Sequence, residues 1–141
     1  MKSFFGGLAF AILCLTVSIY AQSQDVTTGM KLTWNQGKAT ETTLTLSQVN
    51  SFQYKAYIDG ATTGNVISVT CVNSSNGHAP FVCSTPIQAG LSLGNHTVVI
   101  SAAAPDNQGG FTADNKSTVC SFRFIGTPVP VPSAPYNLLF S

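Results

Sequence analysis

The sequence predicts an all-β fold: an antiparallel β-sandwich of six or seven short strands. Three observations carry that expectation. Apolar and polar side chains alternate with a period of two in segment after segment, and that period belongs to a strand with one buried face. Gly, Asn, Asp and Pro punctuate those segments at regular spacing, as in sandwiches and barrels. Almost no stretch shows the 3.6-residue apolar repeat of a helix.

Taken in chain order, "GMKLTWNQ" sets Met30, Leu32 and Trp34 on one side against Lys31 and Thr33 on the other. "TTLTLSQV" brings Leu44 and Leu46 together and reads either as a strand or as the approach to the next one. "SFQYKAYIDG" alternates Phe52, Tyr54, Ala56 and Ile58 with the outward Gln53, Lys55 and Tyr57, and ends on Asp-Gly, a strong turn signal. "NVISVTCV" reads as a strand with Ile67, Val69 and Cys71 inward. "FVCSTPI" reads as another, with Phe81, Cys83 and Ile87 on one face. Behind a Leu-Gly-Asn turn, "HTVVISAAA" directs Val98, Ile100 and Ala102 to the core. Last comes "STVCSFRF", where Cys120, Phe122 and Phe124 share a face. No convincing strand precedes "MKLTW".

The chain divides into three parts. Residues 1–21 have the layout of a secretory signal peptide: Lys2, an uncharged apolar run from Phe4 to Tyr20, and a small residue at Ala21 where cleavage is expected. The run is short of the roughly 20 apolar residues of a membrane span and lacks basic residues beyond it. No integral membrane segment is therefore expected once it is removed. Cys14 follows Leu13, which does not suit lipid attachment. Residues 22–126 form the expected β-sandwich domain, of a size for one core. Residues 127–141 form a tail with prolines at 128, 130, 132 and 135, which favours an extended connector.

Export brings cysteines into an oxidising compartment. Alternation directs Cys71 and Cys83 toward the same apolar side, and the sequence pairs them in a disulfide that closes the loop "VNSSNGHAPFV". Cys120 is then the odd thiol. It reads as a buried small hydrophobe, free cysteine being among the most buried residue types, or as an intermolecular bridge.

Charge narrows the function classes. Only 8% of residues are charged, with a net charge of +1, against about 25% charged in an ordinary soluble domain. No cationic cluster exists to displace counterions, so no nucleic-acid partner is expected. Catalytic residues are expected to be none. Glu41 is the only glutamate, whereas glycosidases pair two carboxylates, and no Gly-x-Ser-x-Gly elbow occurs. His78 and His96 are too few for a zinc site, so neither metal nor other cofactor is expected. His96 reads as a corner residue bonded to backbone. "DNQGGFTADN" gathers oxygen atoms, but a solvated hairpin loop accounts for them better than a Ca²⁺ site.

"MKLTW", then "YKAYIDG", then "LSLGNHTVVISAAA" together resemble the fibronectin type III and related bacterial immunoglobulin-like modules. The resemblance spans about residues 28–126. It implies an immunoglobulin-like, fibronectin type III-like sandwich and says little about activity. His96 stands where such modules usually carry a corner tyrosine. No Arg-Gly-Asp is present, so integrin binding is not implied.

The expected role is that of a secreted, extracellular or periplasmic, non-enzymatic binding module whose protein or glycan partner is unknown. Contact is expected through a sheet edge or through the polar loops, at Asn73, Ser75, Asn76, His78, Asp106, Asn107 and Asp114, with outward Tyr57 available for stacking. The second reading is a structural subunit of an extracellular or surface assembly. The tail itself reads as a loose terminus, as an edge strand folded back on its own sandwich, or, in this second reading, as a strand that one copy adds to the sheet of the next by self-association.

Overall fold

The computed structural model describes residues 11–12, 24–37, 43–75 and 80–127. The remainder of residues 1–23, residues 38–42, Asn76, His78 and the tail from Pro128 lie outside the described residues. The described chain is mostly β and forms two sheets.

In the first sheet, β3 (Lys31–Gln36) lies between β1 (Ala11–Ile12) and β7 (Phe81–Pro86), and β6 (Thr70–Asn73) flanks β7, giving the order β1-β3-β7-β6. All three pairings are antiparallel. In the second, β8 (Gly94–Ala103) is central. It pairs with β4 (Gln53–Ile58) on one side and β10 (Cys120–Gly126) on the other. β5 (Asn65–Ile67) extends the sheet beyond β4, and the short β9 (Asn115–Lys116) also pairs with β8.

The core forms where the inward faces meet. Trp34, Val49, Cys83 and Ile100 are all but fully buried, and the Trp34 ring meets Tyr54 edge to face at 5.8 Å between centroids. Each large apolar side chain stabilises the fold by about 1.5–3 kcal/mol through burial. Inward Val98, Ile100 and Ala102 are buried as the alternation requires.

Four features depart from the sequence expectation. First, the end of "TTLTLSQV" joins Asn50 and Ser51 in a helix, α1 (Leu46–Ser51). Its start is set by a capping box. The Gln48 N–H donates to Thr45 Oγ1 at 3.2 Å, and the Thr45 N–H donates to Gln48 Oε1 at 2.8 Å. Second, "NVISVTCV" is not one strand. It leaves the second sheet after Ile67 and joins the first at Thr70, so inward alternation continues while the partner sheet changes. Third, a strand does precede "MKLTW": β2 (Gln24–Thr27) pairs with β10, completing the order β2-β10-β8-β4-β5. Fourth, that pairing is parallel, so the sandwich is not wholly antiparallel, and strands of two to four residues raise the count above six or seven.

The Cys71–Cys83 disulfide is present, between directly opposed residues of β6 and β7. Cys120 is not a free thiol. It is disulfide-bonded, and none of the cysteines described is free.

Strand directions place the loops. β10 and β2 finish together at Gly126 and Thr27, where the Thr28 N–H donates to the Gly126 carbonyl at 2.7 Å. That end also carries the start of β3 and the Asp59–Gly60 turn. The opposite end carries Gln36, α1, the connection from β6 to β7 and the long connection after β8.

Candidate functional site

Two of the loops singled out by composition come to the same end of the sandwich, although they connect strands of different sheets. Asn73 ends β6, and Ser74 and Ser75 begin the connection to β7. Asn73 and Ser75 are exposed. The Ser74 N–H donates to the Pro80 carbonyl at 2.9 Å, which closes the base of that connection. The other loop, 104–114, comes after β8.

Loop 104–114 is braced from within. Asp106 Oδ1 accepts from the N–H groups of Gln108 and Gly110, each at 2.8 Å, and the Asp106 N–H donates to the Gly110 carbonyl at 3.0 Å. Gly109 has φ +82, and a Cβ on Gly110 would lie 3.1 Å from the Asp106 carboxylate. The two glycines thus let the chain close around that side chain. One step out, the Thr112 N–H donates to the Ala104 carbonyl at 2.8 Å, the Ala104 N–H donates to Thr112 Oγ1 at 3.0 Å, and Pro105 bridges to Phe111. The result is a tight hairpin-like projection with Asn107 and Gln108 exposed at its tip.

This geometry divides the sequence-predicted residues. Asn107 is displayed. Asp106, although exposed, spends one carboxylate oxygen on holding the loop. Asp114 is only half exposed and leaves the loop for the sheet. Its Oδ2 accepts from Lys55 Nζ at 3.1 Å and from the Tyr57 hydroxyl at 2.9 Å. Burial works against its ionisation, but the Tyr57 hydroxyl and the Lys55 and Lys116 ammonium groups outweigh it, and the carboxyl lies below its ordinary value of 3.8.

Tyr57 does not offer a ring for stacking. Alternation does direct it to the outer face of β4, but that face is covered. Lys116 Nζ sits 4.1 Å from the ring centroid, Gly64 packs so closely that a Cβ there would lie 2.6 Å from Cζ, and the residue is 7% exposed. A strand's own period cannot reveal what another segment lays across it.

The aromatic side chain displayed at this end is Phe111, 44% exposed, which sequence reasoning passed over. A signal was present: it is the one large apolar residue within "PDNQGGFTADN", where no core position is due. Val72, on β6 beside Asn73, is also exposed.

The scaffold beneath is tied together. Asn50 of α1 donates through Nδ2 to the Cys71 carbonyl at 3.3 Å and accepts from the Cys71 N–H at 3.0 Å. The Tyr54 hydroxyl donates to the Val49 carbonyl at 2.9 Å, and burial pushes its phenol well above the ordinary value. Helix, disulfide and both sheets therefore meet under the loop end.

His96 lies at the other end and is the corner residue its position implied: Nε2 is 2.8 Å from the Ser92 carbonyl.

Compared with protein-family models, with curated proteins and with solved structures, the chain matches none. Among the described residues no helix is long and apolar enough to cross a membrane.

Proposed function

We propose that this protein is an exported immunoglobulin-like binding module that contacts a protein or glycan through the loop end of its sandwich, without catalysing a reaction. The strand order supports the immunoglobulin-like assignment. β1-β3-β7-β6 follows the A-B-E-D order of that fold, and β10-β8-β4-β5 follows G-F-C with one strand added beyond C. The disulfide suits an oxidising compartment.

One observation carries the binding reading. Exposed Asn73, Ser75 and Asn107 stand at the same end as an exposed aromatic, Phe111, on a loop braced by its own hydrogen bonds. A rigid loop loses little conformational freedom when a partner binds. An aromatic among polar groups can stack on a sugar face or anchor a protein contact. A glycan array probed with the exported protein and with Phe111→Ala tests this: a hit that the variant loses supports it. Hits of equal strength for both proteins would move the contact elsewhere.

A second reading, the structural subunit, is favoured by a different observation: β1, from within the leader, occupies one edge of β3. Its first test is mass in solution at micromolar concentration, where a subunit associates and a simple binding module stays single.

A further inference from the structure

β1 consists of Ala11 and Ile12, in the middle of the apolar run whose removal on export is expected. It is antiparallel to β3, with Ala11 opposite Asn35 and Ile12 opposite Trp34. β3 is paired on its other side to β7 along its whole length. Removal of residues 1–21 therefore takes β1 from one edge of β3. The backbone groups so uncovered border the core, since Trp34 is 1% exposed and Gln36 is fully buried. A vacated edge beside a core is a template for another strand.

We propose that in the exported protein this edge of β3 is filled by residues 136–140 of a second copy of the chain, running antiparallel as β1 does. The proposal rests on the structural-subunit reading and names the surfaces it would use.

Three features point to that occupant. The segment that holds the edge in the precursor is uncharged and apolar, and "YNLLF" at 136–140 has the same character, in a tail without a single charge from 128 to 141. The prolines at 128, 130, 132 and 135 have no N–H to give a ladder. They suit a spacer, about 25 Å long for eight residues at about 3.1 Å each.

Direction favours a second copy. The tail leaves Gly126, beside the start of β3 at Lys31, because β2 and β10 end together and the turn at 28–30 reverses the chain. An antiparallel strand must enter at the Gln36 end, about 20 Å away over six residues. A molecule's own tail would have to travel that length and turn back. The tail of another copy arrives from that side without reversal. Such a contact is head-to-tail and builds chains of subunits.

The test uses exported protein, a variant ending at Thr127, and a synthetic peptide of residues 128–141. Expected are association of the full protein, a single-subunit mass for the shortened one, and amide exchange at residues 33–35 faster in the shortened protein by about tenfold or more. Added peptide should restore the slow exchange there. Association that persists without the tail, or that leaves exchange at 33–35 unchanged, overturns the β3 edge while leaving the subunit reading standing. A full-length protein that stays single overturns both. Mass spectrometry that finds residues 11 and 12 retained in exported material overturns the vacated edge itself.

Discussion

His96 Nδ1 lies 2.8 Å from Asp59 Oδ2, joining residues 37 apart in the chain, while its Nε2 lies 2.8 Å from the Ser92 carbonyl. A carbonyl only accepts and an ionised carboxylate only accepts, so both contacts are satisfied together when both ring nitrogens donate, as they do in the imidazolium form. Asp59 is further engaged by the Thr97 N–H, which donates to Oδ1 at 2.9 Å. Its backbone, at φ 52, holds the turn before Gly60. The pair fastens that turn to the start of β8, with the Phe122 ring beside the imidazole.

Stability should therefore depend on pH in two limbs. The Ser92 carbonyl and the Asp59 carboxylate raise His96 above its ordinary 6.5. Its contribution is complete below that value and fades as pH rises through the folded one. The Thr97 N–H and then His96 lower Asp59 below 3.8; its contribution is complete above 3.8 and fades as pH falls through the folded value. The urea midpoint should thus be highest between 3.8 and 6.5. His96→Gln should lose the decline on the alkaline side. Identical profiles for wild type and H96Q from about pH 6 to 9 would show that the latch carries none of the stability.

Replacement of both Cys71 and Cys83 by Ala should lower stability by about 3 kcal/mol on the loop-entropy model, the two being 12 residues apart. Denaturant unfolding of the oxidised wild type against the double variant measures it. A loss under about 1 kcal/mol would mean that the β6–β7 pairing already restrains the unfolded chain.

Tyr54→Phe removes a buried hydroxyl and leaves the Val49 carbonyl without that donor. The expected cost is about 1–3 kcal/mol, with α1 loosened first because Val49 belongs to it. Hydrogen exchange across residues 46–51 reads the local part; no change there would show that the Asn50 bonds to Cys71 hold the helix unaided.

Gly64→Ala should destabilise through a clash rather than through backbone strain. The added methyl would lie 2.6 Å from Tyr57 Cζ and 2.9 Å from Lys55 Cβ, an overpacking expected to cost about 1–3 kcal/mol. Restored stability in the double variant with Tyr57→Ser, measured as a non-additive cycle, would trace the cost to that contact. Strict additivity would refute it.

The sequence by itself determined which residues turn inward along each strand, that Cys71 and Cys83 would meet, and that His96 would bond to backbone at its corner. These follow from two-residue alternation and from turn chemistry, both set by neighbours in the chain. Even α1 was written there, in Thr45 and Gln48, but a capping box is brief beside the alternating run around it. Tertiary structure alone decided that 65–73 serves two sheets, that β2 lies parallel to β10, that Lys116 and Gly64 cover Tyr57, and that Phe111 is the aromatic left in view among the described residues. Sheet membership and the covering of an outer face depend on segments far away in sequence, and a local period carries no information about which of them will lie alongside.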